Sequence, residues 1–361
     1  MKIRSFLSNI DKLAEENELT REQVLDAFKK GLISGCRKHC RVKSCRVDFN
    51  NNFEEFILYK QYLVIDDNKD NHDKNHNQKN ENINNKKINL INLEEAQKIK
   101  NNAKIGELIE IEINPQDFNF YASKEFKNKF NEELIKKQRE NTFNLLKNYE
   151  NKLINAKVID INENSFTLEL EKNISANLAK TRTLINDNFN IGERVQVYVV
   201  AVQNTTKMPR ILISRTHVNF VIEIFKEFIP EIKDGLIEII SIARFPSEKV
   251  KIGLLSNDKK IDPIGSCIGK KGNRIKSIIN ILKDEKIDLF LWSNDPRKLI
   301  TNALKPAQIT KIIDIDEKNK TAVVLVNEKQ IALVIGKSGR NIQLAIQVTK
   351  WNIQIETTNS L

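Results

Sequence analysis

Two copies of one short motif lie near the C-terminus, and they constrain the fold more than any other feature of the chain. Residues 268–275 and 335–342 both read Ile-Gly-Lys-x-Gly-x-x-Ile. Apolar residues at helical spacing follow each motif, and a strand pattern closes each copy, at residues 287–292 and 351–356. An internal repeat of this length predicts two copies of one folded module.

The paired glycines predict an anion-binding turn between two helices. Glycine removes the side chain where the backbone must bend or approach a ligand, and the N–H groups of a helix N-terminus attract anions. No acidic residue occurs in residues 263–283 or 331–355, around the two turns. The pattern resembles the KH domain, whose Gly-x-x-Gly loop clamps about four nucleotides by their backbone. The candidate RNA-binding residues here are Ile268, Gly269, Lys270, Lys271, Gly272, Arg274, Lys276, Gly336, Lys337, Ser338, Gly339 and Arg340.

The glycine turns have two alternative interpretations. A nucleotide-binding P-loop would share the ending Gly336-Lys337-Ser338, but its leading glycine would fall at Ile331, and in the first copy Gly265 and Gly269 are one residue too close. The second alternative is a pair of ordinary helix-turn-helix corners with solvated lysines. Two turns in matching contexts favour the anion-binding interpretation over both.

The positive charge is concentrated on the segment that holds the turns. The chain has 361 residues, room for two to four domains, with a formal net charge of +11 and a pI of about 9.2. From His217 onward there are 23 basic and 17 acidic residues, so this segment contributes +6. An excess of this kind suggests a polyanionic partner.

No targeting or membrane segment is evident, so we expect a soluble, monomeric, cytoplasmic protein. Charged residues interrupt the N-terminal apolar stretch too early for a secretory signal, and no apolar run approaches the roughly 18 residues of a membrane span. Four cysteines, Cys36, Cys40, Cys45 and Cys267, suit a reducing compartment. Cys36, His39 and Cys40 could share a helix end as metal ligands, but no second ligand pair accompanies them, so we expect neither metal nor cofactor.

The first part of the chain predicts an α/β domain. A capping box at Thr20 and Gln23 begins a helix predicted over residues 21–37, and strands are predicted over 42–49, 53–65 and 105–113, with a helix over 93–100. Residues 66–89 are rich in Asn and predict a flexible insertion; compositional bias of the genome is the competing explanation. An amphipathic stretch from Phe126 to Tyr149 predicts a long connecting helix.

Five short strands are predicted between residues 155 and 214, which fits a small OB-type barrel. The predicted strands cover 156–161, 165–170, 174–178, 194–202 and 210–214. Such barrels bind single-stranded nucleic acid through exposed aromatic residues and a basic groove. The candidates are Phe166, Lys180, Arg182, Arg194 and Arg215. A spacer domain without RNA contacts would have a similar composition.

Each C-terminal copy is predicted to follow the order αββααβ, the type II KH arrangement. In the first copy the predicted helix covers 218–228 and strands cover 236–244 and 249–256, before the helices around the glycine turn. In the second copy the helix covers 295–304 and the strands 309–315 and 321–326. Because almost no linker separates the copies, we expect them to pack as one rigid body.

With these motifs the sequence resembles the NusA family of bacterial transcription termination and antitermination factors, over essentially the whole chain. The residues that carry the resemblance are Ile213-Ser214-Arg215-Thr216, Phe225, Pro230-Glu231-Ile232, Asp262-Pro263-Ile264-Gly265-Ser266-Cys267-Ile268-Gly269 and Trp292. The resemblance implies an N-terminal domain that binds core RNA polymerase (1–148), an S1-type OB-fold (149–216) and two KH domains (217–294 and 295–361) that bind nascent single-stranded RNA. It also implies modulation of pausing, intrinsic termination and antitermination, other Nus factors as partners, and no catalytic activity.

The sequence departs from the family pattern in three places. Glu163-Asn164 stands where S1-type domains often have a turn glycine, the Asn-rich insertion has no expected counterpart, and the sequence ends at Leu361 without the acidic C-terminal repeats of some relatives. Two other classes of protein are considered. An RNA-degrading phosphorylase places KH before S1 and needs a larger catalytic core, whereas a ribosome-associated KH protein would sediment with ribosomal subunits.

Overall fold

The computed structural model describes residues 6–50, 55–66, 88–170, 174–205 and 208–357. The chain divides into two compact units, Met1–Asn144 and Leu145–Leu361. None of the helices within these ranges is long and apolar enough to cross a membrane.

The N-terminal unit combines helices with a four-stranded sheet. Strand β2 is the centre of the sheet, pairing antiparallel with β1 and β4 and parallel with β3. The elements are α1 (Phe6–Glu16), α2 (Arg21–Cys40), β1 (Cys45–Phe49), β2 (Phe56–Ile65), β3 (Asn89–Asn92), α3 (Leu93–Ile99), β4 (Leu108–Ile113), a 3₁₀ turn (Pro115–Asp117) and α4 (Phe120–Lys147).

The predicted capping box at the start of α2 is confirmed. The Gln23 amide donates to Thr20 Oγ1 at 3.2 Å, and the Thr20 amide donates to Gln23 Oε1 at 3.0 Å. The helix continues to Cys40, three residues beyond the predicted end, and stops where Arg41 adopts the left-handed conformation. The ring of Phe28 lies 5.1–5.9 Å from four other phenylalanine rings at the centre of the core: Phe6, Phe56, Phe126 and Phe130.

One helix of the N-terminal unit was not expected from the sequence, and one predicted segment lies mostly outside the described residues. Helix α1 was not predicted, although Phe6, Ile10 and Ala14 recur every four residues and are buried. Of the Asn-rich insertion predicted at 66–89, residues 67–87 lie outside the described residues.

The five predicted strands between residues 155 and 214 are confirmed, and they form a nearly closed OB-type barrel. They are β5 (Leu153–Ile161), β6 (Ser165–Glu169), β7 (Ser175–Ala179), β8 (Arg194–Gln203) and β9 (Arg210–Ser214), with a 3₁₀ turn at Lys180–Arg182. All neighbours are antiparallel in the order β7-β6-β5-β8-β9, and the two outer strands approach each other. Alternate side chains point inward and fill the interior, among them Val158, Leu168, Leu178, Val197 and Ile213.

The order αββααβ is confirmed in both C-terminal copies. The first copy contains α5 (Val218–Phe228), α6 (Pro230–Lys233), β10 (Ile237–Phe245), β11 (Lys249–Ser256), α7 (Pro263–Ile268), α8 (Asn273–Ile281) and β12 (Lys286–Leu291). The second contains α9 (Pro296–Ala303), β13 (Lys311–Asp316), β14 (Thr321–Val326), α10 (Glu328–Ile335), α11 (Arg340–Thr349) and β15 (Asn352–Thr357). In each sheet the first two strands are antiparallel and the last two are parallel.

The two KH copies pack against each other through a shared core, as the short linker predicted. Ala243 and Phe290 of the first copy belong to the same buried cluster as Ile300 and Leu344 of the second. The buried Lys251 of β11 donates from Nζ to the carbonyl oxygens of residues 303 and 305, at 2.7 Å and 3.0 Å. The contact therefore combines apolar burial with hydrogen bonds from one copy to the other.

The barrel also packs on the first KH copy. Tyr198 of β8 lies in the buried cluster that contains Phe220 and Ile224 of α5. The side chain of Arg215 forms a buried ion pair with Asp187 and donates to the carbonyl of Ile281 at the end of α8. The barrel and the first KH copy are thus held together by packing and by a buried charge.

Candidate nucleic-acid interface

The two glycine turns have the same backbone conformation. The first glycine of each turn, Gly269 or Gly336, has a φ of +72° or +73° and a ψ of 174° or 173°. The second glycine, Gly272 or Gly339, has a φ of +74° or +73°. Residues with a side chain rarely adopt these angles, which explains why glycine occupies all four positions. The two copies of the sequence motif therefore share one backbone conformation.

The first glycine of each turn is also required by close packing. A Cβ atom at Gly269 would lie 2.8 Å from Cγ of Arg274, and one at Gly336 would lie 2.8 Å from Cβ of Asn341. At the second glycine of each turn the nearest atom would be 3.6–3.7 Å away. The turn is therefore packed against the protein on one side and open to a ligand on the other.

The helices that follow the turns begin without a side-chain cap. Gly272 precedes α8 and Gly339 precedes α11, and neither residue has a side chain that could accept a hydrogen bond from the first helical turn. The helices that lead into the turns are capped, by Asp262 and by Asn327. The N–H of Asn273 donates to the carbonyl of Lys270, and the N–H of Arg340 donates to the carbonyl of Lys337. The start of each helix therefore attracts an anion through the positive end of the helix dipole.

Exposed cations surround both turns. Lys270, Lys271 and Lys276 are exposed at the first turn and Lys337 at the second, and none of them forms an ion pair within the described residues. Ser338, which occupies the position of Lys271 in the second copy, is exposed too. The first turn therefore carries more free positive charge than the second.

Arg274 is engaged within the first KH copy through one atom of its guanidinium. Nη1 lies 2.9 Å and 3.0 Å from the carboxylate oxygens of Glu231 and donates to the carbonyl of Ser266 at 2.8 Å. Its role as a phosphate ligand stays a prediction, and its geometry shows that it holds helix α7 against the turn.

Arg340 is engaged with the first KH copy. Its Nε and Nη2 atoms donate to the carboxylate of Glu248 at 2.8 Å and 3.0 Å, and its Cζ lies 4.0 Å from the ring centroid of Phe245. The bond from Arg340 holds the pKa of the Glu248 carboxyl below its usual range. The second turn is thereby held against the first module.

Comparisons with known proteins agree with this geometry. Family models described as the NusA N-terminal domain, the NusA-like first KH domain and the NusA-like second KH domain match residues 5–140, 215–292 and 296–361. The transcription termination/antitermination protein NusA of Bacillus subtilis is 32% identical over 96% of this chain and 88% of its own length. The NusA proteins of Halalkalibacterium halodurans and Rickettsia conorii are 30% and 32% identical over 98% of this chain, and 88% and 67% of their own lengths.

The chain belongs to the NusA family. A solved structure of the N-terminal domain of NusA from B. subtilis is 24% identical, covers 37% of this chain and 95% of that domain, and has a TM-score of 0.23.

Two of the barrel residues predicted from the sequence as exposed RNA ligands are buried in this NusA-family protein. The ring of Phe166 is 6% exposed and packs edge to face on Phe189, with centroids 5.2 Å apart. Arg215 is 3% exposed, with its guanidinium on Asp187. The expectation that these two side chains face solvent was wrong, because one fills the barrel core and the other joins the barrel to the KH copy.

The other three barrel candidates reach the surface. Lys180 and Arg194 are exposed, and Arg182 is half-buried in the 3₁₀ turn after β7. Lys180 Nζ lies 5.7 Å from the centroid of the Phe166 ring, so the buried ring supports an exposed cation. Their contact with RNA stays a prediction.

Sequence reasoning missed the residues that fix the turns from elsewhere in the chain. Glu231 holds Arg274 from 43 positions away, and Glu248 holds Arg340 from 92 positions away. Nothing in the local sequence around either glutamate indicates such a role. From the sequence, Glu231 is named only as part of the family resemblance, and Glu248 is not singled out.

Two buried cysteines of the N-terminal unit contact each other. Sγ of Cys36 and Sγ of Cys45 are 2.9 Å apart, and burial raises the pKa of Cys40 to about 11. Among the described residues, no group of three or more His, Cys, Asp or Glu side chains is arranged to hold a metal ion.

Proposed function

We propose that this protein is an RNA-binding transcription elongation factor that acts without catalysis. It binds nascent single-stranded RNA and modulates pausing, intrinsic termination and antitermination. The observation that carries the proposal is the pair of glycine turns with matching backbone angles, uncapped helix N-termini and exposed lysines. The relatives that share almost the whole chain are named transcription termination/antitermination proteins.

The turns bind the RNA backbone rather than its base sequence. An RNA phosphate at a turn is attracted by the positive end of helix α8 or α11 and by Lys270 and Lys271, or by Lys337. Contacts of this kind release counterions, so affinity falls steeply as salt rises. Lys180, Arg182 and Arg194 of the barrel supply further positive charge for the same RNA.

The N-terminal domain, which we propose covers residues 1–148, docks on core RNA polymerase. Docking turns RNA capture into an intramolecular event, which strengthens engagement by about 10²–10⁴-fold without new RNA contacts. The proposed division continues with an OB-fold over 149–216 and KH domains over 217–294 and 295–361. The protein acts as a monomer, with other Nus factors as further partners on the same polymerase.

Affinity isolation of the tagged full chain tests this function. RNA polymerase core subunits are expected to co-purify, and nuclease treatment should leave them bound because the dock is made by protein. Purified protein added to a single-round transcription assay should change the lifetime of a pause. Recovery of ribosomal subunits without polymerase, or unchanged pauses at saturating protein, would contradict the proposal.

A further inference from the structure

Three of the four cysteines lie together in the N-terminal unit. Cys36 and Cys40 are near the end of α2, and Cys45 is the first residue of β1. All three belong to the apolar cluster between α2 and the sheet, in which Cys36 is 0% exposed and Cys45 is 8% exposed. Cys267 is buried far along the chain, in the first KH copy. The proposed function gives none of these thiols a role.

The sulfur atoms of Cys36 and Cys45 are in direct contact. Sγ of Cys45 donates to Sγ of Cys36 at 2.9 Å, in a buried contact between residues nine positions apart in the sequence. A disulfide bond is about 2.03–2.05 Å long, so the two sulfur atoms need to approach by only about 1 Å. A bond between them would join the end of α2 to the start of β1.

Hydrogen bonds to neighbouring strands hold the turn that leads into Cys45. The amide of Lys43 donates to Oδ1 of Asn89 at 2.9 Å, and the amide of Gln61 donates to the carbonyl of Ser44 at 3.1 Å. The backbone on the β1 side of the sulfur contact is therefore fixed by the sheet. The two thiols are prepositioned by the fold, and the contact does not depend on side-chain rotation alone.

We propose that Cys36 and Cys45 form a reversible disulfide in the presence of a small-molecule disulfide, and that this bond acts as a redox-sensitive brace in the N-terminal unit. With oxidised glutathione as the oxidant, Cys45 reacts first because it is the less buried of the two. Its thiolate attacks one sulfur of glutathione and releases one glutathione thiolate; Cys36 then attacks Sγ of Cys45 and releases the second. The two protein thiols are oxidised, and their protons end on the two reduced glutathione molecules.

Cys40 is excluded as the partner of Cys36 by helix geometry. Cys40 also contacts Cys36, but it follows four positions later on the same helix. Side chains at this spacing have Cβ atoms about 5–6 Å apart, whereas a disulfide requires about 3.5–4.5 Å. A bond between Cys36 and Cys40 would distort the last turns of α2. Cys40 is therefore an internal control for the bond to Cys45.

The environment of the pair makes the reaction slow. The contact with Cys45 and burial both raise the pKa of the Cys36 thiol above its usual range. Because the thiolate is the reactive form, buried protonated thiols react slowly at neutral pH. In a reducing compartment the pair stays reduced. The brace therefore responds to sustained oxidation, and its equilibration takes minutes to hours.

Tryptic mapping of the folded full chain tests which cysteines are joined. The protein is equilibrated in buffers of oxidised and reduced glutathione, alkylated and digested. Cleavage after Lys and Arg places Cys36, Cys40 and Cys45 on separate peptides, 31–37, 39–41 and 44–46. The expected product links 31–37 to 44–46, and excess reduced glutathione should reverse it. This measurement needs no variant, so it does not depend on how well a substituted core folds.

Single substitutions test the assignment independently. Cys36→Ala and Cys45→Ala should each abolish the cross-link, whereas Cys40→Ser should retain it. Cys267→Ser is the matched control from outside the cluster and should also retain it. Each variant is compared with wild type by circular dichroism in reducing buffer.

Hydrogen exchange tests the bracing effect. The bond closes a loop of ten residues, 36–45, and so restricts the locally opened state. Exchange of the amides in residues 36–47 is expected to slow by about ten- to a hundredfold in the oxidised wild type relative to the reduced one. In Cys45→Ala the two buffers should give equal rates.

Three results would overturn the proposal. A link between peptides 31–37 and 39–41 would assign the wrong pair. A folded wild type that forms no cross-link in oxidised glutathione, while the urea-unfolded chain does, would show that the fold keeps the two thiols from reacting. Equal exchange rates in cross-linked and reduced wild type would refute the brace. None of these results bears on RNA binding, because the glycine turns lie in the other unit.

Discussion

Arg274 and Asn341 occupy the same position in the two KH copies, and each donates to the carbonyl of the residue eight positions earlier. Arg274 Nη1 lies 2.8 Å from Ser266 O, and Asn341 Nδ2 lies 3.2 Å from Leu333 O. In both copies the bond ties the helix before the glycine turn to the helix after it. The two side chains differ in charge and length, so the repeat conserves the bond and not the residue.

Asn341→Ala should destabilise the KH pair by about 2 kcal/mol or more. The change removes the amide that donates to three carbonyl oxygens, two of them in buried hydrogen bonds. Urea unfolding followed by tryptophan fluorescence measures this directly, because Trp292 and Trp351 are the two tryptophans of the chain and both lie in the KH copies. Gln343→Ala, an exposed change in the same helix, is the control. Equal midpoints for the two variants would contradict the anchoring role of Asn341.

Gly336→Ala should cost more stability than Gly339→Ala, although both glycines have a φ of +73°. At Gly339, with a ψ of 9°, alanine would adopt the left-handed region at about 1 kcal/mol, whereas at Gly336 the ψ of 173° lies in a region that is essentially reserved for glycine and costs about 1–3 kcal/mol. At Gly336 the new Cβ would also lie 2.8 Å from Cβ and 3.0 Å from the backbone nitrogen of Asn341, whereas at Gly339 it would meet only Gln343 Nε2 at 3.6 Å. Urea unfolding followed by tryptophan fluorescence measures the stability of both variants. A larger loss of stability for Gly339→Ala than for Gly336→Ala would contradict the tight packing around Gly336.

Lys251 should make the stability of the KH pair rise with pH in the alkaline range. Burial lowers the pKa of Lys251 to about 8, from an ordinary value of 10.5. Between these two values the unfolded chain binds more protons than the folded one, so the free energy of unfolding increases as pH rises from about 8 to about 10.5, by up to about 3 kcal/mol. In Lys251→Met this increment should be absent. If the free energy of unfolding changed with pH in the same way for wild type and Lys251→Met over this range, the lowered pKa of Lys251 would be contradicted.

Local signals in the sequence predicted the elements well. The capping box at Thr20, the helix Val218–Phe228, the strand Arg210–Ser214 and the αββααβ order all depend on residues close together in the chain, and the structure confirms each. The exposure of Phe166 was misjudged, although its alternation with Leu168 places both on the inner face of β6.

Long-range pairing could not be predicted. Asp187 neutralises Arg215 from 28 positions away, and Glu248 binds Arg340 across the two copies. The number of positions between two such residues in the sequence does not indicate how close their side chains lie in the folded protein. A basic residue beside a binding motif therefore looked the same whether it was free, like Lys337, or already paired, like Arg340.

Separating the two units should separate RNA binding from the effect on polymerase. A fragment that starts at residue 149 keeps the barrel and both glycine turns, so it should bind RNA as the full chain does. It should lose most of the effect on pause lifetime at working concentration, because the proposed dock is gone and capture is no longer intramolecular. Pause lifetimes with the full chain, this fragment, and residues 1–147 supplied separately measure the difference. A fragment as active as the full chain would remove the need for the dock.

The most direct test of the account is RNA affinity after reversal of charge at the first glycine turn. Lys270→Asp with Lys271→Asp is compared with Lys259→Asp with Lys260→Asp, a second pair of adjacent exposed lysines, in the loop between β11 and α7 of the same KH copy. The account predicts that the first pair weakens binding of single-stranded RNA at least about tenfold in low salt and lowers the salt slope by about two. The second pair should bind within about threefold of wild type, with both variants retaining a native circular-dichroism spectrum. Wild-type affinity in the folded Lys270, Lys271 variant would contradict RNA binding at the glycine turn.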